Sequence, residues 1–396
     1  MIKIIENITS IKYIWIYGAG VIGNIAVDCL QRSNIRVIDG IVVTHKKSNC
    51  VDVKGIPVFS MDEIATPSDQ TLFIIAVSEK YQCEIQTILE SKGYTNYLLW
   101  NKDTKRKLWK LAEYRFEDRR KYCEKVCFVL SGYKEFLWKN VFSRLSSFVP
   151  DNVEICILSS GIYHPDLAKI AQQNEWSYLS TNINSVTLIQ NIAIEIFDDA
   201  KWIFKMDEDM FLTEGCFEKL LEVYHRVNER EHYQIGFVAP TIPLNGYGYF
   251  KLLDKFNLIS EYEKNFGRAF IGGNRFRSIE KEPEAASYMW GITSNIPQLD
   301  ILNRMMRNEE YSFCNVRFSI GFIMFTREFW NELGGFDVSG GSDMGYDESQ
   351  LGIICIEESY AIVVAENTVV GHFSFGKQTQ VMKEYYEKNP EWFEIR

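Results

Sequence analysis

The sequence has no apolar run of the ~18–20 residues that a membrane-spanning helix requires. Residues 1–6 also lack the pattern of a signal peptide, so we expect a cytoplasmic protein. Proline and glycine are sparse, with 9 and 25 among 396 residues, which excludes a collagen-like or mostly disordered chain. The content of 46% hydrophobic and 24% charged residues is typical of a soluble globular protein, and the length corresponds to about two or three domains.

An excess of positive charge is also missing, since 43 Lys and Arg stand against 53 Asp and Glu, for a net charge of −10. Such a field repels polyanions, so we expect no nucleic-acid partner. A phosphate-bearing substrate would need a divalent cation or a local basic patch. The nine cysteines include no Cys-x-x-Cys pair, which indicates a reducing compartment and argues against structural zinc. The absence of Walker, His-Glu-x-x-His and Gly-x-Ser-x-Gly motifs gives no support to an ATPase, a zinc protease or a serine hydrolase.

Predicted strands and helices alternate in two separate parts of the chain. In the first part, an apolar strand is followed by a glycine turn and a helix, and the alternation continues for about 100 residues. This pattern predicts a Rossmann-like domain with a parallel sheet over residues 1–100. The alternation resumes after residue 121, so residues 122–396 are predicted to form a second α/β domain.

The intervening segment, residues 101–121, is rich in lysine and arginine packed among aromatic residues, and we interpret it as a helical linker. Two roles fit this composition. The segment can be a solvated basic face at a domain junction, or it can contact anionic lipid or a phosphate-bearing acceptor. The second role predicts a peripheral membrane contact.

The first candidate site is the turn Gly18-x-Gly20-x-x-Gly23, with Asp39 about 20 residues further on. Glycines in a strand-turn-helix unit let the backbone approach a phosphate at the helix N-terminus, and a later acid can bind a ribose. However, that acid usually ends its strand, and here apolar residues continue after Asp39. Three interpretations stay open: NAD binding, binding of another nucleotide or sugar nucleotide, and a purely structural turn.

The second candidate site is Asp207-Glu208-Asp209, which directly follows an apolar strand. An Asp-x-Asp triplet is expected about once by chance in a chain of this composition, so its position matters more than its presence. Carboxylates at the C-terminal end of a buried strand lie where open α/β sheets bind ligands, and two of them can hold Mg²⁺ or Mn²⁺ against a diphosphate. The alternative is an acidic turn that caps the following helix.

Two later elements also carry polar side chains that suit catalysis. Gly334-Gly335-Phe336-Asp337 precedes Tyr346-Asp347-Glu348, where a helix is predicted to begin. A carboxylate at that position can take a proton from an attacking hydroxyl, or it can simply cap the helix. His372 follows a strand, and its imidazole can complete the coordination of a cation or serve packing alone.

In this order, the four elements resemble the nucleotide-sugar glycosyltransferases of the GT-A fold, over roughly residues 122–377. The resemblance implies a glycosyltransferase domain of that fold with Mn²⁺ or Mg²⁺ held by Asp207, Asp209 and His372. It also implies a catalytic base at Asp347 or Glu348, of which we favour Asp347. The remaining implication is a donor pocket formed by the following residues: Ser131, Gly132, Asp207, Glu208 and Asp209.

The resemblance further implies an inverting transfer of a hexose from a nucleotide sugar, such as a UDP-sugar, to a saccharide or lipid-linked acceptor. The setting would be bacterial capsule or surface polysaccharide synthesis at the inner membrane face, with a homo-oligomer as a further option. The segment 240–313 is predicted to be irregular and aromatic-rich, and its Tyr249, Tyr288 and Trp290 are candidates for stacking on the acceptor, or for packing. The rival functions are an NAD-dependent oxidoreductase and a non-catalytic sugar-nucleotide sensor.

Overall fold

The computed structural model describes residues 11–46, 51–272 and 278–396. Residues 1–6, on which the expected absence of a signal peptide rests, lie outside these ranges. Within the ranges, no helix has both the length and the apolar character needed to cross a bilayer.

The described strands form two main sheets and one short two-stranded pair. The strands are β1 (Tyr13–Tyr17), β2 (Gly40–Val43), β3 (Asp52–Val53), β4 (Ile56–Ser60), β5 (Thr71–Ile75), β6 (Tyr97–Leu99), β7 (Tyr114–Glu117), β8 (Lys125–Leu130), β9 (Glu154–Ser159), β10 (Ser177–Thr181), β11 (Trp202–Asp207), β12 (Met210–Phe211), β13 (Ile235–Thr241), β14 (Tyr311–Phe313), β15 (Phe322–Thr326), β16 (Ala361–Val369) and β17 (Gly371–His372).

The helices connect these strands, as expected for an α/β protein. They are α1 (Val21–Ser33), α2 (Glu79–Ser91), α3 (Lys102–Arg106), α4 (Trp138–Phe148), α5 (Pro165–Gln173), α6 (Val186–Ile196), α7 (Cys216–Arg230), α8 (Gly248–Lys255), α9 (Ile259–Phe266), α10 (Pro283–Met289), α11 (Leu299–Met306), α12 (Arg327–Glu332), α13 (Tyr346–Glu357) and α14 (Thr379–Lys388).

The first sheet has the order β3-β4-β2-β1-β5-β6, and all of its neighbours pair in parallel except β3 with β4. Counting only the parallel strands in chain order, the arrangement is 3-2-1-4-5, as in one half of a Rossmann fold. Its inner strands β1 and β5 are almost fully buried, which explains why they read as continuous apolar runs. The predicted Rossmann-like domain is therefore confirmed as a fold.

The second sheet is mixed and has the order β14-β16-β13-β15-β11-β8-β9-β10-β7. At its centre β11, β8, β9 and β10 run parallel, and β15 pairs antiparallel with β11. The parallel register brings Asp207 level with Leu130, so β8 and β11 end at the same edge of the sheet. Polar residues that follow these two strands are thereby gathered at one place.

A buried ion pair braces the second domain behind this edge. Arg144 of α4 donates two hydrogen bonds to the carboxylate of Asp300 in α11, at 2.8 and 3.0 Å. The guanidinium also donates to the carbonyls of Leu212 and Phe393, and both partners of the ion pair are almost completely buried. The pair thus ties α4, α11 and the last residues of the chain together.

The predicted helical linker is helical only in its first half. After α3 and a 3-10 turn at Lys107–Leu111, the chain extends into β7, which pairs antiparallel with β10 at the edge of the second sheet. The strand forms because Phe116 packs on Phe197 and its neighbours face outward. The basic residues of the segment that contact acidic side chains are Lys102, Lys105, Lys110, Arg115, Arg119, Arg120 and Lys121.

These ion pairs neutralise most of the linker's charge within the protein, which favours the domain-junction role over lipid contact. The boundaries at residues 100 and 122 stay predictions, although the two sheets separate close to them.

The segment 240–313 was expected to be irregular, but its described residues contain helices α8 to α11. Tyr249, Tyr262 and Tyr288 pack against each other in a small aromatic core between these helices. The helices have only seven or eight residues each, a length at which an isolated helix is marginal in water. Packing between the helices supplies the stability that local propensity lacks.

Candidate active site

A cavity of about 380 Å³ opens at the edge where β8 and β11 end. It is the place where open α/β sheets bind their ligands. The charged side chains on its wall, its histidine and Ser131 come from β11, from the loops after β8 and β11, from the start of α13 and from β17. They are Ser131, Lys134, Lys205, Asp207, Glu208, Asp209, Asp347, Glu348 and His372.

Asp207 ends β11 and lies beside a lysine from its own strand. The Nζ atom of Lys205 is 2.7 Å from Oδ1 of Asp207 and 3.7 Å from Oδ2 of Asp347, and it donates to the carbonyl of Ile320 at 3.0 Å. Burial raises the pKa of Asp207 to about 6, although Lys205 acts to lower it. Burial acts to lower the pKa of Lys205, but the two carboxylates outweigh it and raise that pKa, so the ammonium keeps its charge.

Asp209 lies deeper and contacts two cationic or potentially cationic groups. Its Oδ2 atom accepts a hydrogen bond from Lys134 and is 3.3 Å from Nε2 of His372. The strand pair β12 and β17 creates this contact, since Met210 pairs with His372 and the backbone of Phe373 donates to Asp209. Burial by itself would raise the pKa of Asp209, but His372 and Lys134 together hold it well below its usual range.

The contact between His372 and Asp209 requires either a proton or a cation between the two side chains. The Nδ1 atom is 3.1 Å from the carbonyl oxygen of Leu244, and a carbonyl can only accept, so Nδ1 carries a proton. In a neutral ring, Nε2 then points a lone pair at a carboxylate oxygen. Two acceptors facing each other need a proton or a cation between them. A histidine whose other nitrogen donates to a carbonyl is also the usual arrangement in metal sites.

The described residues do not assemble a complete metal site by themselves. No three His, Cys, Asp or Glu side chains in this part of the chain are close enough to hold an ion together. Of the three predicted ligands, Asp209 and His372 meet, whereas Asp207 is engaged by Lys205. Asp209 and His372 thus fit a divalent ion that takes two ligands from the protein and its remaining ligands from substrate and water.

The two acids at the start of α13 differ in how strongly they are held. Glu348 contacts Arg317 and accepts a hydrogen bond of 3.1 Å from Ser319. Asp347 has Lys205 at 3.7 Å, which is beyond hydrogen-bonding distance. Its carboxylate is therefore the less engaged of the two and suits proton transfer better.

The loop after β8 contains the predicted donor-pocket residues and is held by Glu208. The Glu208 carboxylate accepts hydrogen bonds from the backbone amides of Gly132 and Tyr133, both at 2.9 Å, and from the indole of Trp138 at 2.7 Å. Glu208 and Gly132 were expected to bind the donor. Instead, the oxygens of Glu208 anchor the loop, and the Gly132 amide is already hydrogen-bonded to one of them. Ser131, in contrast, lies on the cavity wall with a buried hydroxyl that has no hydrogen-bond partner.

Asp337 of the Gly-Gly-Phe-Asp element does not line the cavity. It accepts a hydrogen bond from the amide of Ser339 at 2.8 Å and pairs with Lys105 at 2.6 Å. These contacts fix the glycine-rich loop that leads into α13. The element therefore positions the helix that carries Asp347.

The three aromatic candidates for acceptor binding are buried in the protein. Tyr249, Tyr288 and Trp290 are 1%, 2% and 4% exposed, and none lies on the cavity wall. Tyr288 donates to Glu261 at 2.8 Å, and Trp290 donates to the carbonyl of His372 at 3.0 Å. The structure thus gives them packing roles, and Trp290 supports the strand that carries His372.

The glycine turn of the first domain and Asp39 lie at opposite ends of their sheet. Gly18 follows the C-terminal end of β1, whereas Asp39 precedes β2 and bonds Ile14, with the Ile14 amide donating to the carboxylate at 2.7 Å. Roughly three residues of strand, or ~10 Å, separate the two levels. Asp39 therefore does not complete a ribose site at this turn.

Packing alone explains the first and third glycines of the turn. A Cβ atom on Gly23 would lie 1.9 Å from the carbonyl oxygen of Gly18, and one on Gly18 would lie 2.6 Å from that of Ala76. At Gly20, a Cβ would meet nothing within 4 Å. A dinucleotide-binding turn also packs its first and third glycines and leaves space at the second, so the three interpretations of the motif stay predictions.

Sequence reasoning missed the two lysines of the cavity, Lys134 and Lys205. A signal for Lys205 was present, since a lysine interrupts the otherwise apolar strand Trp202–Asp207 two residues before its terminal acid. A charged residue in a buried strand needs a partner, and the nearest acids on that strand were the candidate ligands. Nothing in the sequence links Lys134 to Asp209, which is 75 residues away.

No protein-family model and no curated protein sequence matches this chain. Among solved structures, it is similar to GalNAc-T7 with UDP, GalNAc and Mn²⁺, with 11% identity and a TM-score of 0.40 over 80% of this chain and 60% of that one. It is also similar to the mannosyltransferase PcManGT from Pyrobaculum calidifontis with GDP-Man and Mn²⁺, with 12% identity and a TM-score of 0.36 over 68% and 63%.

The chain thus spans about three fifths of the length of each of these structures. TM-scores and identities this low carry no conclusion about chemistry. The mixed α/β architecture of the second domain is consistent with a GT-A-like fold.

Proposed function

We propose that this chain is a glycosyltransferase that uses a nucleoside-diphosphate sugar together with Mn²⁺ or Mg²⁺. One observation carries the proposal. Asp209 and His372 face each other 3.3 Å apart at the C-terminal edge of the sheet, and Asp347 lies on the wall of the same cavity. This arrangement supports a cation site and a general base that face one space for substrate.

Asp209 and His372 would hold the metal ion, and Asp207 would complete the acidic wall beside it. When bound, the ion supplies charge neutralisation for the leaving diphosphate. The Ser131 hydroxyl, which is buried on the cavity wall without a partner, is available to hydrogen-bond the donor. Glu208 keeps the loop of Ser131 in place through its three hydrogen bonds.

Asp347 is the proposed general base. It takes the proton from the acceptor hydroxyl as that oxygen bonds to the anomeric carbon, while the bond from this carbon to the diphosphate oxygen breaks. The nucleoside diphosphate leaves with the bonding electrons, and the configuration at the anomeric carbon is inverted. The Lys205 ammonium, 3.7 Å away, attracts the Asp347 carboxylate from the sheet side without a hydrogen bond.

The finer parts of the proposal rest on the sequence resemblance alone. They are transfer of a hexose from a UDP-sugar, a saccharide or lipid-linked acceptor, and a role in bacterial surface polysaccharide synthesis with peripheral membrane contact. The acidic wall of the cavity agrees with a donor whose phosphates arrive with a divalent ion.

The test is a donor screen with purified protein. UDP-sugars and GDP-sugars are incubated with Mn²⁺, with Mg²⁺ or with EDTA, and the release of nucleoside diphosphate is measured. We expect metal-dependent release, by slow hydrolysis without an acceptor and faster with one. Asp347→Asn should lower turnover about 10²–10⁴-fold, because a general base contributes about that much.

Asp166→Asn is the matched control, since Asp166 is an exposed acid in the first turn of α5 and resembles Asp347 in its position on a helix. It should leave turnover unchanged. Binding of a sugar nucleotide without any release would identify a sensor instead of an enzyme. Release that is equally fast in EDTA would refute the metal.

A further inference from the structure

The ammonium group of Lys134 occupies the oxygen of Asp209 that faces His372. Both contacts of Asp209, with Lys134 Nζ and with His372 Nε2, involve the same atom, Oδ2. A divalent ion bound by Asp209 and His372 would lie next to this oxygen. Two cations that close repel each other, so Lys134 has to leave Asp209 when the ion binds.

The backbone near Lys134 is held by hydrogen bonds, whereas its side chain is partly exposed and contacts Asp209 only through its ammonium group. Glu208 holds the two preceding residues, Gly132 and Tyr133, by their amides. The Lys134 side chain is 31% exposed and lies on the cavity wall, and its four-carbon stem is flexible. Lys205 differs in this respect, because it is only 3% exposed and is engaged by three oxygens.

A displaced ammonium in this acidic cavity would turn to water or to another anion. Of the other acids of the cavity, Asp207 and Asp347 share Lys205, Glu348 contacts Arg317, and the oxygens of Glu208 already accept three N–H hydrogen bonds. The anion that would enter together with the metal is the diphosphate of the nucleotide. Lysine is well suited to bind a phosphate oxygen as a point charge.

We propose that Lys134 is a donor-binding residue that exchanges partners. It neutralises Asp209 in the empty site and binds a diphosphate oxygen once metal and nucleotide enter. This inference rests on the proposed function, since it requires a nucleoside diphosphate in the cavity. It makes binding of metal and nucleotide mutually dependent, because the ion frees the lysine and the diphosphate then engages it.

The test measures binding without turnover. Mn²⁺ binding is followed by electron paramagnetic resonance, and UDP and GDP binding by calorimetry at saturating Mn²⁺, for the wild type and Lys134→Met. We expect the variant to bind Mn²⁺ alone about 5- to 50-fold more tightly, because a competing cation is gone. It should bind the nucleoside diphosphate about 10- to 100-fold more weakly, because a charged hydrogen bond is lost.

If Lys134 exchanges partners, the affinity for Mn²⁺ rises in the variant while the affinity for nucleotide falls. A structural role does not predict these opposite changes. If Lys134 only holds the loop together, the variant will lose affinity for metal and nucleotide alike, and the inference fails. Equal affinities of variant and wild type for nucleotide also overturn it. Lys134→Gln, which keeps a hydrogen-bond donor but no charge, repeats the test if the methionine variant does not fold.

Lys139→Met is the control, since Lys139 is an exposed lysine of the following helix and should leave both affinities unchanged. Uridine and guanosine, which lack phosphate, should bind the wild type and Lys134→Met equally. If the wild type binds neither UDP nor GDP in Mn²⁺, the proposed function itself fails. If the wild type binds one of them and Lys134→Met binds it with equal affinity, only the role of Lys134 is refuted.

Discussion

Lys205 joins the two halves of the candidate site, and replacing it with methionine should destabilise the protein by about 2–3 kcal/mol. Its ammonium bonds Asp207 at 2.7 Å and the carbonyl of Ile320 at 3.0 Å, and it lies 3.7 Å from Asp347. Removing one member of a buried pair costs about 3–5 kcal/mol because the other charge is left uncompensated. Here the Asp207 side chain is 37% exposed and can be rehydrated in part, so we expect a smaller loss.

The loss should also depend on pH. Lys205 lowers the pKa of Asp207, which burial raises to about 6, so the methionine variant should have a still higher pKa at this residue. An acid whose pKa is raised by folding favours the folded state when protonated, and this contribution is lost as the pH rises through the folded pKa. The destabilisation by Lys205→Met should therefore be larger at pH 8 than at pH 5.

The assay is urea denaturation followed by tryptophan fluorescence in EDTA at both pH values. Lys201→Met is the matched control, because Lys201 immediately precedes the same strand and forms an exposed pair with Glu124 that should contribute less than about 1 kcal/mol. A Lys205 variant that is no less stable than the Lys201 variant would refute the buried bridge between Asp207 and Asp347. A loss that is equal at both pH values would refute its effect on Asp207.

Three further predictions concern the brace, the glycine turn and the metal. Arg144→Met should cost about 3–5 kcal/mol in urea denaturation because it leaves the buried Asp300 carboxylate unpaired, and a loss below 1 kcal/mol would contradict this. Gly23→Ala should strongly destabilise the first domain in thermal melting, whereas Gly20→Ala should have a small effect, and equal effects would refute the packing role of the turn. Mn²⁺ affinity, measured by paramagnetic resonance, should fall below about pH 6 as Asp207, on the acidic wall beside the ion, takes up a proton, and a constant affinity from pH 5 to 8 would refute an electrostatic contribution of Asp207 to the cation site.

Local sequence predicts those parts of the site whose position depends on a single strand or helix. An apolar strand followed by two acids predicts carboxylates at the C-terminal edge of a sheet, and Asp207 and Asp209 lie there. The apolar period of α6 likewise predicts the helix at Val186–Ile196 that the structure contains. Asp347 at a helix start follows from the glycine-rich loop before it.

The parts that local sequence does not predict depend on strand register and on contacts across the fold. Asp39 follows the glycine turn at the spacing of a ribose-binding acid, but the pairing of β1 and β2 places it at the other end of the sheet. Tyr249 and Tyr288 were candidates for stacking on the acceptor or for packing, and the structure buries both among helices of only seven or eight residues. Their burial depends on how four helices pack, which no local pattern encodes.

The most direct test of the account is a crystal structure of the protein grown with Mn²⁺ and the nucleoside diphosphate that it binds. The account predicts an anomalous manganese peak bonded to Asp209 and His372, with diphosphate oxygens on its other side and Lys134 turned from Asp209 to a phosphate. A nucleotide held in the cavity by Lys134 and Lys205 with no manganese beside Asp209 would contradict it, as would a manganese peak elsewhere in the molecule.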